Sequence, residues 1–143
     1  MRDIHDPRGI DRRILSYKVL DGGFVVVVVK ENPREVLQGL VQWDGLGPVR
    51  FVTAVSEDVD LADQTSTIWG IFARFDPARD MIFQKQEFIG ARPVYSGRIG
   101  IDATWKEGYP PPVTMPEGTI RLVERRWDEY FAGAYGKQAR GSW

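Results

Sequence analysis

A single histidine, His5, and no cysteine leave this chain with few side chains for transition-metal or thiol chemistry. His5 lies in a polar stretch broken by Pro7 and Gly9. Nothing nearby fixes its tautomer or position for acid–base work, so it reads as a solvated residue. A metal would have to be held by carboxylates, which suits hard cations such as Mg²⁺. The one acidic cluster is Glu57, Asp58, Asp60 and Asp63, and its spacing is not that of an EF-hand loop. Acidic residues between a strand and a helix also favour the positive end of the helix, and that simpler reading stands. Gly97-Arg98-Ile99-Gly100 has neither dinucleotide-loop nor P-loop spacing, so Arg98 reads as part of a turn leading into a strand. Serines and threonines are present, but none has a placed His or Lys partner to make a nucleophile. Arg121, Arg125 and Arg126 are interleaved with Glu124, Asp128 and Glu129, which describes a mixed, solvated helix face.

The elements that would position any site are clearer than the chemistry. At 43% hydrophobic and 27% charged, the chain can bury a core without a metal or disulfide. Its net charge of −1 draws it to neither nucleic acid nor an anionic membrane. The apolar run Phe24 to Val29 is too short to span a bilayer. The first residues lack the apolar stretch of a secretory signal, so a cytoplasmic location is expected.

Ile14 to Leu20, Asp21-Gly22-Gly23 and Phe24 to Val29 predict a hairpin. Five consecutive valines do not alternate, which predicts a strand covered on both faces. Asn32-Pro33-Arg34-Glu35 predicts a capped helix start, followed by Val36, Leu37, Leu40 and Val41 at helical spacing. Val49 to Val55 predicts a second buried strand, and a helix is expected from about Asp63 to Phe75. Met81 to Phe83 and Phe88-Ile89 read as short strands, and Ile99 to Trp105 as another in a Gly/Pro-rich stretch from 90 to 114. Thr114-Met115-Pro116-Glu117 reads as a capping box opening a helix with Ile120, Val123, Trp127, Tyr130 and Phe131 on its apolar face. Helices alternating with apolar strands predict an α/β layered sandwich.

Five tryptophans, Trp43, Trp69, Trp105, Trp127 and Trp143, are many for one small domain. Aromatic residues are enriched in interface cores. Trp69 and Trp127 lie on apolar helix faces and are expected in the core. Trp105 and Tyr109, next to Pro110-Pro111-Pro112, are the interface candidates.

Two segments carry a family resemblance. Ile68 to Asp80, reading IWGIFARFDPARD, resembles the W-(A/G)-x-x-x-R-x-(D)-P-x-R-D segment of UbiD-type aromatic-acid decarboxylases. Gly100 to Lys106, reading GIDATWK, resembles their G-(I)-D-A-T-x-K segment. The strand running into the acidic turn at Val55 to Asp60 is similar as well, and so is the tail from Gly108-Tyr109-Pro110. The resemblance covers residues 13–131.

It implies a three-layer α/β/α sandwich with a mixed sheet, like the family's C-terminal domain, which makes dimer and higher-order contacts. In that family the N-terminal domain binds prenylated FMN with a metal ion and supplies a catalytic Glu-Arg-Glu set. Those motifs are not found here, so no catalytic, cofactor-binding or metal-binding residue is expected in this chain. Trp69, Arg74, Asp76, Pro77, Asp80, Asp102, Ala103 and Thr104 carry the matched pattern and are expected to be framework, with Arg74 paired to Asp76 or Asp80.

The expected organisation is a single domain, 1–143. It has a loose arm at 1–12, a core at 13–131 and a mobile tail at 132–143. The expected role is a non-catalytic assembly subunit of a (de)carboxylase acting on aromatic, phenolic acids, within a homo- or hetero-oligomer. Its partner would be a UbiD-type catalytic subunit that holds the prenylated FMN and the metal ion, with no nucleic acid and no membrane involved. Two alternatives remain open. One is a stand-alone ligand-binding domain or small enzyme using the 90–113 loop near Arg98 and Asp102, and the other is a homo-oligomeric scaffold.

Overall fold

Five valines in a row can be buried only if something lies on each side of their strand, and the fold supplies both covers. In a computed structural model of the chain, residues 4–20, 23–109 and 115–130 are described. Strand β1 (Ile14–Leu20) turns back into β2 (Phe24–Val29), and helix α1 (Pro33–Gln42) leads to β3 (Phe51–Val55). Helix α2 (Gln64–Phe72) leads to β4 (Met81–Ile89) and β5 (Arg92–Ala103). The strands form one mixed sheet in the order β1-β2-β3-β5-β4. β2, β3 and β5 are parallel, and the two edge strands are antiparallel to their neighbours.

Val25, Val27 and Val29 pack with Val36, Leu37, Leu40 and Val41 of α1 in one cluster. Val26 and Val28 point the other way, into a cluster with Val55, Val59, Ile101, Ala103 and Ile71 of α2. The result is the expected three-layer α/β/α sandwich with a mixed sheet. Helix α2 approaches closely because residue 70 is glycine: a β-carbon there would lie 2.6 Å from Val59 Cγ2.

The α2 side is the less complete layer. Leu20, Phe24, Phe51, Ile99 and Phe83 are in register across all five strands. By strand alternation this row shares the face of Val26 and Val28. Phe24 stacks on Phe51 and Phe83 on Tyr95, yet Phe51 and Tyr95 remain exposed. With nine residues, α2 is about 13 Å long and covers only part of this face.

Several expectations change in detail. The two short strands around residues 81–89 are one nine-residue strand. Its hairpin partner, β5, runs for twelve residues through what composition marks as a Gly/Pro-rich loop. Beyond the part paired with β3, the two continue as a ribbon from Lys85↔Ser96 to Ile89↔Arg92, tipped by the exposed Phe88 and Ile89.

Asn32 stands at the start of α1 but makes no side-chain cap, because it is left-handed (φ 48°) and a capping side chain needs extended backbone. Asp63 does cap α2, accepting from the Thr65 and Ser66 amides at 3.2 and 2.8 Å. Residues 4–12, within the stretch 1–12 that reads as a loose arm, are tied down. The His5 amide donates to the Gly45 carbonyl, Ile4 packs on the core, and Asp6 caps a 3-10 turn at Pro7–Gly9.

The chain divides into two compact units, Met1–Tyr109 and Pro110–Trp143. In the second, α3 (Glu117–Arg125) and α4 (Trp127–Tyr130) replace the single expected helix, with a break at Arg126. Pro116 stands at the cap position of α3 without a side-chain bond. Ion pairs join Arg121 to Glu117 and Arg126 to Glu129, as a mixed charged face should. Thr114, Pro110 to Pro112, Phe131, Trp143 and the tail 132–143 lie outside the described residues, as do the side chains of Asp128 and Tyr130.

Candidate functional site

The chemistry-bearing side chains of the first unit gather where β5 ends. Asp102 accepts from the Thr104 amide and hydroxyl at 3.1 and 2.6 Å, closing a tight turn after the strand. Lys106 returns over that turn and donates to the carbonyls of Asp102 (2.7 Å), Thr104 (3.1 Å) and Arg74 (3.4 Å). Its Nζ lies 3.3 Å from Asp102 and 3.6 Å from Asp80, between two buried carboxylates.

Asp80 accepts from the Asp76 amide at 2.9 Å and the Tyr109 hydroxyl at 3.2 Å, with Arg79 Nε at 3.3 Å. Burial pushes Asp80 upward, but the Asp76 amide, Lys106 and Arg79 outweigh it and hold it below its ordinary value. Burial, and then the Asp80 charge, raise the Tyr109 phenol. Asp76 forms a local turn by accepting from the Ala78 amide, and Pro77 sits inside that turn.

Arg74 does not pair with Asp76 or Asp80 as expected. Asp76 already accepts from the Ala78 amide, and Asp80 accepts from the Asp76 amide with Lys106 Nζ 3.6 Å away. The Arg74 guanidinium instead turns back to Asp58, in the β3–α2 connection, at 2.9 and 2.6 Å. Its side chain is only 1% exposed, and its fork–fork contact with Asp58 joins the exit of α2 to the loop before it. The hydrogen bond from Arg74 holds Asp58 below the usual carboxylate range. Arg74 also stacks 4.8 Å from the Trp69 ring centre. Trp69, expected in the core, is on the outer side of α2 and exposed.

Asp80, Asp102 and Thr104 therefore converge on Lys106, with Asp76 joined to Asp80 through its amide, while Trp69 and Arg74 lie beside Asp58. Ala103 is fully buried in the α2-side cluster. Trp105 is half exposed, its amide donating to Ser56 Oγ at 2.7 Å. Tyr109 is half buried under the cations of Arg79 and Lys106.

Sequence reasoning placed Arg98 in a turn leading into a strand and missed its role in the core. It is buried within β5 and donates to the carbonyls of Val41, Trp43, Gly47 and Val49 at 2.9–3.3 Å. An arginine directly before the apolar stretch that begins at Ile99 was the available signal.

Within the proposed 90–113 ligand loop, residues 92–103 are strand, and residues 110–113 lie outside the described residues. Arg98 and Asp102 do not converge either: Arg98 binds carbonyls at the C-terminal end of α1, and Asp102 lies by its N-terminal end. A cleft there is lined by Asn32, Arg34, Glu35, Gln38, Trp105 and Lys106. Its charged groups are engaged, Glu35 by Arg13 and Arg34 by the Arg79 carbonyl. Among the described residues no group of three or more His, Asp or Glu could hold a metal ion, and no helix is long and apolar enough to cross a membrane. What this arrangement does chemically is fasten the α2 exit to the end of β5.

Known proteins give this framework a context. The 3-octaprenyl-4-hydroxybenzoate carboxy-lyase C-terminal domain family matches residues 13–103. An uncharacterized protein of Aeropyrum pernix is 28% identical over 87% of this chain and 29% of its own length. One of Archaeoglobus fulgidus is 31% identical over 73% of this chain and 25% of its own length. Among solved structures, the UbiD-class enzyme HmfF of Pelotomaculum thermopropionicum superposes with a TM-score of 0.59 at 18% identity. It covers 82% of this chain and 30% of that one. The closed form of Sedimentibacter hydroxybenzoicus vanillic acid decarboxylase gives 0.59 at 17% identity, covering 89% and 30%. The chain thus spans less than a third of the length of these relatives. With its layered fold and the matched segment running from β1 to the end of β5, this chain belongs to the UbiD carboxy-lyase C-terminal domain family.

Proposed function

We propose that this chain is a non-catalytic assembly subunit of a cytoplasmic UbiD-type (de)carboxylase for aromatic acids. The prenylated FMN, the metal ion and the reacting residues would reside on a separate catalytic chain. The observation that carries this reading is the unfinished α2 side of the sheet. An apolar row crosses all five strands with Phe51 exposed, and the ribbon extends it through Tyr95 to Phe88, which is 67% exposed. Contiguous apolar surface of this kind marks sites where another polypeptide docks. The matched residues make their hydrogen bonds within the chain, which supports a framework role for them.

Size-exclusion chromatography of the chain mixed with a UbiD-type catalytic chain that lacks this domain tests the reading. A stable complex is expected, weakened at least tenfold by Phe88→Glu with Ile89→Glu. Failure to associate with any such chain, or decarboxylation by the purified chain alone, would overturn it.

A further inference from the structure

Past the end of β5 the chain is held in place through side chains. Among the described residues, the backbone of 105–109 makes no hydrogen bond to the backbone of another element; its own turn is closed by the Tyr109 amide on the Lys106 carbonyl at 3.1 Å. Trp105, Glu107 and Gly108 are exposed. Three attachments keep the segment down. The Trp105 amide donates to Ser56 Oγ at 2.7 Å. Lys106 Nζ donates to the Arg74 carbonyl and stands between Asp80 and Asp102. The Tyr109 hydroxyl donates to Asp80 at 3.2 Å and accepts from Arg79, and its ring lies against the cations of Arg79 and Lys106. Gly108 makes the turn that brings this ring back over Asp80, at φ 92°, where a residue with a β-carbon would be strained.

Releasing the segment leaves neither buried carboxylate without a partner. Asp102 keeps the Thr104 amide and hydroxyl, at 3.1 and 2.6 Å. Asp80 keeps the Asp76 amide at 2.9 Å and Arg79 Nε at 3.3 Å. The costliest result of breaking a polar contact, a buried group left unpaired, is thereby avoided. Segments with exposed backbone and no ladder bonds open as small cooperative units while the rest stays folded.

We propose that residues 105–109 are a latch, closed by Tyr109 on Asp80, which opens as one piece without unfolding the sheet. The covalent connection to the second unit, Pro110–Trp143, passes through this segment. With the latch closed, that connection begins at Tyr109. With it open, the connection begins at Thr104 and gains residues 105–109, a further reach of about 17 Å when extended. A pull on the second unit falls first on the Tyr109 contact. The latch therefore sets the length of that unit's tether.

Hydrogen exchange of the full chain reads the latch amide by amide. The Trp105 and Tyr109 amides are expected to share one opening, with protection about 100-fold or more below that of the β3–β5 ladder. Tyr109→Phe removes only the hydroxyl and should lower the Trp105 protection about tenfold or more, although it does not touch Trp105. Gly108→Ala, which strains the turn, should act in the same direction. In both variants, protection across β2, β3 and β5 should stay within about twofold of the native chain. Trypsin gives a second reading: Tyr109→Phe should speed cleavage after Lys106 about tenfold and leave cleavage after Lys85, in the ribbon, unchanged. Trp105 protection equal to that of β5, or unaltered by Tyr109→Phe, would overturn the proposal. So would cleavage after Lys106 that speeds up only together with cleavage after Lys85, since the whole fold would then be opening.

Discussion

The two helical layers bury the same valine strand and end in different conditions. Helix α1 is amphipathic: Val36, Leu37, Leu40 and Val41 are sealed against the sheet, and its C-terminal carbonyls accept from Arg98. Helix α2 meets the opposite face with Thr67, Gly70 and Ile71 and leaves larger apolar side chains on its outer side. The difference teaches that the chain seals one layer by itself and leaves large apolar side chains uncovered on the outer side of the other. On the α1 side a large side chain contributes to folding. On the α2 outer side it contributes little to the folding of the monomer.

Breaking that comparison starts where the effect should be greatest. Arg98→Met strips the charged donor from four carbonyls and should destabilise the chain by about 4 kcal/mol. Denaturant unfolding measures it, and a loss under 1 kcal/mol would mean the α1 layer is not locked this way.

Next comes a matched pair. Leu37→Ala, fully buried under α1, should cost about 3 kcal/mol. Phe72→Ala should cost within about 0.5 kcal/mol for the monomer, as an exposed position does. Equal costs would erase the contrast between the layers.

Gly70→Ala sharpens it from the inner side of α2, where the added carbon meets the buried Val59 and should cost about 1–2 kcal/mol. A stabilised variant would show the packing under α2 to be loose.

Smallest is the response to acid. Asp58 and Asp80 are both held below the ordinary carboxylate value of 3.8. Their contribution is therefore complete above that value and is lost as pH falls through it towards the depressed folded values. Melting temperature should hold between pH 7 and 5 and drop by several degrees between pH 4 and 3. A flat profile there would remove these carboxylates from the account.

Much of the fold was legible because it rests on local pattern. The unbroken valines demanded two covers, and the spacing of Val36, Leu37, Leu40 and Val41 gave α1 its inner face. The β4–β5 ribbon was not legible, because Gln84 to Glu87 and Ser96 are polar on strands that cross-strand pairing, not burial, keeps extended. Trp69 misled because an apolar helical position ordinarily means core, and here it lies on the uncovered side. The matched segments indicated where the polar cluster would be, but not its wiring. Arg74 could have met several nearby carboxylates, and only three-dimensional competition sent it sixteen positions back to Asp58.

Strand β5 is made last, yet it sits between β3 and β4. During synthesis, β4 therefore leaves the ribosome with no neighbour to pair with, and β3 presents a bare apolar margin. Both wait for residues near 103 before the sheet can zip shut. Fragments that stop short of residue 92 should thus be prone to aggregate and not fold partway, since an unpaired hydrophobic margin recruits other chains.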